Sequence, residues 1–210
     1  MSFINMANPW PLVPLPLYSD KVHLVPLALE HAVDLKLALE ENDLWNFWLT
    51  PIPTVSSLEK EIKRRLSLQN EGKMFPYSVY DVLKNRYVGM TTLMELDRDN
   101  QRLEIGYTWY SKSSQKTIIN TQAKYLLLEY AFSELNVIAV EFRTHFFNHA
   151  SRRAIERLGA KLDGVLRNHR ITLDDEGNRI LRDTCVYSII QSEWPTVKQH
   201  LRYKLNNYVY

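Results

Sequence analysis

Glycine is scarce in this chain: six in 210 residues, about 3% against an ordinary share of about 7%. Gly72, Gly89, Gly106, Gly159, Gly164 and Gly177 cannot be arranged as G-x-x-x-x-G-K-[ST] or G-x-G-x-x-G. The glycine loops of nucleotide triphosphatases and of dinucleotide-binding enzymes are therefore excluded. Cysteine is scarcer still. The lone Cys185 can form neither an internal disulfide nor a multi-thiolate zinc site, which points to a reducing compartment. An excess of one charge is missing too, because 26 Lys and Arg against 24 Asp and Glu leave a formal net charge of +2, without the basic surplus of a nucleic-acid-binding arm. No apolar run approaches the roughly 18 residues of a membrane span. The lead from Met1 to Asp20 is broken by Pro9, Pro11, Pro14 and Pro16 and has no Lys or Arg before Lys21, unlike a secretory signal. These absences predict a cytoplasmic protein with no nucleic-acid or membrane partner and no metal.

What is present is periodicity. Val22 to Val25 reads as a strand, and Leu29, Ala32, Val33 and Leu37 recur at helical spacing. Pro51 and Pro53 break the next stretch into a loop carrying Trp45, Phe47 and Trp48. Ser56 with Glu59 fits a capping box ahead of Leu58, Ile62 and Leu66, a second helix. Phe75–Val82, Tyr87–Leu96 and Leu103–Tyr110 are rich in aromatic and β-branched residues and separated by polar turns, so three antiparallel strands follow. Thr121–Leu135 is an amphipathic helix and Ile138–Thr144 a strand. Ala150–Leu158 is a helix entered through Asn148 and stopped by Gly159. Two strands, Lys161–Leu173 and Arg182–Ile190, then flank an acidic turn, and a last helix begins near Trp194. The order βααβββαβαββα predicts one α/β domain over residues 21–210, preceded by a Pro-rich lead over 1–20, with helices packed on both faces of a mixed, mostly antiparallel sheet.

Two stretches carry more than packing. In Glu104-Ile105-Gly106-Tyr107-Thr108-Trp109-Tyr110 a strand delivers its end, across Ser111 to Lys116, to a helix N-terminus near Asn120. Unpaired N–H groups and the helix dipole favour an anion there. In Asn148-His149-Ala150-Ser151, Asn148 and Ser151 fall at the cap and first turn of the next helix.

These residues resemble the GNAT superfamily of N-acetyltransferases, and within it the branch that includes the ribosomal-protein N-terminal acetyltransferases. The likeness spans nearly the whole chain and rests on Glu104-Ile105-Gly106-Tyr107, Asn120-Thr121-Gln122-Ala123-Lys124, the Asn148-to-Gly159 stretch, Gly164-Val165-Leu166-Arg167 and Arg182-Asp183-Thr184. The resemblance implies acetyl-CoA as co-substrate, bound where the fourth and fifth predicted strands splay apart, and direct attack on its thioester by a primary amine: a protein or peptide N-terminus, or a small amine. It implies Glu104 as general base, backbone N–H groups around Tyr107 to Trp109 facing the oxyanion, Ser151 as the partner of the leaving sulfur, and Asn148 on the pantetheine arm. A tyrosine that many members carry seven residues after the position of Asn148 is replaced here by Ile155. A homodimer is compatible with the sequence.

Other readings stand beside these. Glu104 also fits a cross-strand ion pair, and Asn148 and Ser151 fit ordinary helix caps. His145 and His149 lack an Asp or Cys companion and read as structural. Arg152, Arg153 and Arg157 read as a solvated helix face, the first two also within reach of CoA phosphates. Cys185 reads as inert core. Trp45 and Trp48 fit either the core or the acceptor cleft, where they would favour an apolar or cationic acceptor. The family's Q/R-x-x-G-x-G/A loop aligns with Gln115, Lys116, Thr117, Ile118, Ile119 and Asn120, so both glycines are missing, and Ile118, β-branched and averse to positive φ, is the expected point of trouble. The alternative to an active enzyme is accordingly a degenerate GNAT domain kept as a binding or interaction module.

Overall fold

The computed structural model describes residues 10–41, 49–50, 52–174 and 176–208. Thirteen elements follow in the order β1 (Leu17–Tyr18), β2 (Val22–Pro26), α1 (Ala32–Glu40), α2 (Leu58–Asn70), β3 (Met74–Asp81), β4 (Arg86–Asp97), β5 (Arg102–Tyr110), α3 (Ile118–Glu129), β6 (Ala139–His145), α4 (His149–Glu156), β7 (Lys161–Leu173), β8 (Arg179–Ile190) and α5 (Trp194–Asn206). The order is the expected one with a short β1 added from the Pro-rich lead. That lead is tied to the domain. Leu17 and Tyr18 pair with Leu24 and His23, and buried Trp10 donates its indole N–H to the Leu135 carbonyl at 2.9 Å.

One sheet carries all eight strands in the order β1-β2-β3-β4-β5-β6-β8-β7. Every neighbouring pair is antiparallel except β5 and β6, which run parallel because the α3 crossover joins them. Alternate residues of each strand feed the two faces. On one face Leu103, Ile105, Val140, Phe142, Cys185 and Tyr187 bury with Leu127 of α3 and Leu201 of α5. On the other, Met90 and Trp109 pack under Leu35 and Leu39 of α1 and Leu58 and Ile62 of α2.

The alternation changes frame inside β5. Met90 and Thr92, two apart on β4, oppose Trp109 and Gly106, three apart on β5, so β5 holds an extra residue. Tyr107 takes φ +47° there. Such a bulge turns the following side chains to the opposite faces, which is why Leu103 and Ile105 join one core and Trp109 the other. Arg65 of α2 fastens the bulge. It is 1% exposed, donates from Nη1 to the Tyr107 carbonyl at 3.2 Å and to Thr92 Oγ1 at 3.1 Å, and is neutralised through Nε by Glu61 at 2.8 Å.

Two local expectations are corrected. The Ser56/Glu59 capping box does not form: α2 starts at Leu58 with Ser57 as N-cap and no side-chain cap bond, because the hydroxyls of Ser56 and Ser57 bond within the Thr54 turn. The third helix begins at Ile118 rather than near Asn120, with Thr117 as its N-cap, and it closes in a π turn over Tyr130–Glu134. Among the described residues no helix is long and apolar enough to cross a membrane.

Glycine is required where β4 passes β5. A Cβ on Gly89 would lie 2.1 Å from the Trp109 carbonyl oxygen and 2.9 Å from Tyr110 Cα, backbone atoms that cannot yield without moving the strand. Gly89→Ala is expected to cost about 1–3 kcal/mol of stability, read as a lower urea midpoint.

Candidate active site

Parallel pairing between β5 and β6 spans only Arg102–Glu104 against Ala139–Glu141. Beyond Glu104 the two strands part, and the β6-facing edge of β5 has no ladder partner among the described residues. Ligands of open α/β sheets collect outside the carboxyl ends of parallel strands. Here those ends lead into the N-termini of α3, after β5, and α4, after β6. The structure thus brings Tyr107 and Trp109, the 115–120 loop, and Asn148 with Ser151 to the same end of one strand pair. Glu104 lies three residues before Tyr107, roughly 10 Å along the strand, where pairing stops.

Glu104 faces the side covered by α1 and α2. It is 7% exposed and forms part of a cleft of about 480 Å³ lined also by Gly72, Glu95, Asp97, Glu141 and Arg143. Burial pushes its carboxyl up to about 7, against the opposing pull of the Arg143 guanidinium. Arg143 Nε stands 3.4 Å from Glu104 Oε2 without hydrogen-bond geometry, while Nη2 donates to Glu141 at 2.9 Å. The cross-strand ion pair and the elevated carboxyl therefore coexist: Arg143 is already engaged by Glu141, and the dry surroundings decide the outcome at Glu104.

The loop after β5 holds its missing glycines differently from expectation. Ile118 is the first residue of α3, its side chain buried, so no positive φ is asked of it. The left-handed residue is Lys116, at φ +59°, with its side chain exposed. Ile119 N–H already bonds to Thr117 Oγ1 at 3.3 Å, and Gln115 Nε2 donates to the Tyr110 carbonyl at 3.1 Å. Lys116 carries its ammonium on an exposed side chain, and the first-turn N–H groups other than that of Ile119 have no partner within the helix. Tyr107 and Trp109 offer the cleft backbone only, since the Tyr107 ring lies 5.2 Å beneath both the Arg64 and Arg65 guanidiniums and Trp109 is core.

Asn148 caps α4 by accepting from Ser151 N–H at 3.0 Å, and its amide donates to Thr50 Oγ1 at 3.1 Å. Ser151 is half-buried one turn on. Arg152 is committed to the fold through Tyr187 and the Phe146 carbonyl, which removes it from the phosphate candidates, while Arg153 is exposed. His145 is buried and accepts from Phe147 N–H, and Cys185 is buried core. Trp45, Phe47 and Trp48 lie outside the described residues. Among the described residues no cluster of His, Cys, Asp and Glu is placed to hold a metal ion.

Several charged residues escaped the sequence reading. Lys124 of α3 is buried and donates to Thr91 Oγ1 at 2.8 Å and Thr108 Oγ1 at 2.6 Å, and burial lowers its ammonium to about 7. At about 100° per residue Lys124 falls between Leu127 and Leu128 around the helix, which marks it as inward-facing. Arg143, Arg170 and Arg182 share the Glu104 face. Their signal was period-two spacing in Glu141-Phe142-Arg143 and the equal offset of Arg170 and Arg182 from the acidic turn.

Glu104 has a measurable signature. Its carboxyl keeps a proton in the folded protein up to about pH 7 but releases it near 4.5 when unfolded, so the folded state binds more protons in that window and stability falls as pH rises through it. Glu104→Gln is expected to remove this fall, worth about 3 kcal/mol, from urea unfolding compared at about pH 5 and about pH 8.

Known proteins resemble this chain in sequence and in fold. The Acetyltransferase (GNAT) domain family matches residues 21–161. "Putative ribosomal N-acetyltransferase YdaF" of Bacillus subtilis (strain 168) is 34% identical over 106 residues, 50% of this chain and 55% of that protein, so the match spans about half the relative's length. A GCN5-related N-acetyltransferase from Brucella melitensis superposes with TM-score 0.80 at 28% identity, over 91% of this chain and 85% of that one. An acetyl transferase from Salmonella typhimurium that modifies the N-terminal serine of 50S subunit protein L7/L12 superposes with TM-score 0.70 at 18% identity, over 82% and 96%, a likeness of fold. From the β2 strand to the start of β7, around the parted β5 and β6, the chain belongs to the GNAT acetyltransferase family.

Proposed function

We propose that this protein is an N-acetyltransferase that moves an acetyl group from acetyl-CoA directly to a primary amine held beside Glu104. The observation that carries the reading is the parting of β5 and β6 immediately beyond a buried carboxyl held near neutrality. A general base works best when its pKa lies near the working pH. The names of the Bacillus and Salmonella proteins favour a protein or peptide N-terminus over a small amine.

Bound acetyl-CoA supplies the acyl group as a thioester, its arm lying along the unpaired edge of β5 and its phosphates meeting Lys116 and the N–H groups that open α3. Gln115 and Thr117 shape that turn through their bonds to Tyr110 and Ser114. Glu104 accepts the proton of the incoming ammonium through a short chain of waters, because about 10 Å of strand separates it from the bulge. Backbone N–H groups between Tyr107 and Trp109 stabilise negative charge on the carbonyl oxygen. The Ser151 hydroxyl donates to the departing sulfur, and Asn148 orients both the arm and, through its cap bond, Ser151. The degenerate-domain reading loses its main support, because the Ile118 that replaces a glycine is helical and unstrained.

Calorimetry with acetyl-CoA should show saturable binding, and absence of heat at millimolar ligand would reject the enzyme. Ser151→Ala is expected to lower kcat while leaving acetyl-CoA affinity unchanged; an unaltered rate removes its role. Glu104→Gln is expected to lower kcat by about 10²-fold and to abolish the rise of rate with pH near 7, and a retained pH profile would reject it as the base.

A further inference from the structure

Two arginines on the Glu104 face have no carboxylate at ion-pair distance among the described residues. Arg170 of β7 and Arg182 of β8 are direct cross-strand partners, a placement that sets Cβ atoms roughly 5 Å apart and makes like charges repel. Neither makes an ion pair or side-chain hydrogen bond among the described residues, and Arg182 Nε is buried without a partner. The nearest carboxylate in sequence, Asp183, points to the other face, where it accepts from Arg167 Nε at 2.9 Å and from Asn168 N–H at 2.7 Å. A donor buried without a partner carries a desolvation cost, and a like-charge pair adds to it. An anion between the two would relieve both.

The pair stands near the candidate base, beside the residues that line its cleft. Glu104 feels the fields of Arg143 and Arg170, and Arg182 feels Arg170, Glu104 and Tyr107. His169 is bonded to Thr184 Oγ1 at 3.1 Å, and after burial the charges of Arg170, Arg143 and Arg182 lower it further. The cleft beside Glu104 is lined by both signs, Glu95, Asp97 and Glu141 with Lys73, Arg102 and Arg143, and Arg102 and Arg143 are both paired to Glu141. Arg170 and Arg182 differ from them in having no carboxylate at bonding distance among the described residues.

We propose that the cleft selects an amine acceptor carrying an anionic group, carboxylate or phosphate, a few bonds from its amine, with the anion held between Arg170 and Arg182. The acetylation of that amine rests on the function proposed above; the anion site does not. Paired guanidiniums offer forked donors suited to both groups. This reverses the preference for apolar or cationic acceptors that Trp45 and Trp48 suggested.

Calorimetry on the whole protein compares 2-aminoethyl phosphate and 3-aminopropanoate with ethanolamine and 3-aminopropanamide, which carry the ammonium but no anionic group. The amines with the anionic group are expected to bind about tenfold tighter or better than their counterparts without it, the tighter of the two naming the group. Arg170→Gln and Arg182→Gln should each erase that preference, and Arg182→Lys, which keeps the charge, should retain part of it. Arg170 is exposed, so its variant serves even if Arg182→Gln fails to fold. Equal binding of amines with and without the anionic group, or a preference untouched by Arg170→Gln, overturns the proposal. Release of CoA from acetyl-CoA separates the two ideas. Anion-selective binding without CoA release keeps this site and rejects the acetyltransferase, whereas CoA release at equal KM for amines with and without the anionic group does the reverse.

Discussion

Three residues of parallel pairing, Arg102–Glu104 against Ala139–Glu141, hold the two halves of this sheet together, and everything functional follows from their ending where they do. A longer ladder would close the gap that a thioester arm needs. A shorter one would leave the halves joined only by helices. The Arg102–Glu141 ion pair bridges the two strands at this seam, and Glu141 also engages Arg143. The seam's ion pairs thus stand beside Glu104, so one set of charges closes the sheet and sets the field at the candidate base.

Support for the open side comes from two buried cations on opposite faces. Arg65 reaches the Tyr107 carbonyl from α2, and Lys124 reaches Thr108 from α3. Buried charges are costly unless hydrogen-bonded. Both bond to the residues where β5 departs from regular pairing, which fixes the bulge from above and below and leaves its outer edge free to bind.

Helices were legible because each has one wet and one dry face, whereas β3 and β4, buried along most of their length, showed through aromatic and β-branched content between polar turns. Glu104 stood out through the motif around it, and Asn148 through its place before a helix, which its cap bond to Ser151 bears out. Ile118 was misjudged because the alignment with a glycine loop carried a backbone conformation with it. Moving the helix start to Ile118 shifted the left-handed position to Lys116. Arg170 and Arg182 meet because the hairpin register runs unbroken from Leu173 and Arg179 at the acidic turn; the irregularity lies beyond them, between Leu166 and Arg170, with Asn168 at φ +50°. No local pattern announces such a shift, since an unbroken strand and a bulged one share the same composition.

The extra residue in β5 has a consequence for the history of such a chain. With Leu103 and Ile105 serving one core and Trp109 the other, this strand is written in two reading frames joined at Tyr107. Deleting one residue there would regularise the ladder and at once exchange the faces of Trp109 and Tyr110, sending the largest side chain of the smaller core into the larger. Substitutions along β5 can be absorbed one at a time, but its length cannot drift. The count of residues from Glu104 to Tyr110 is set by the two cores as a gear's tooth number is set by its partner.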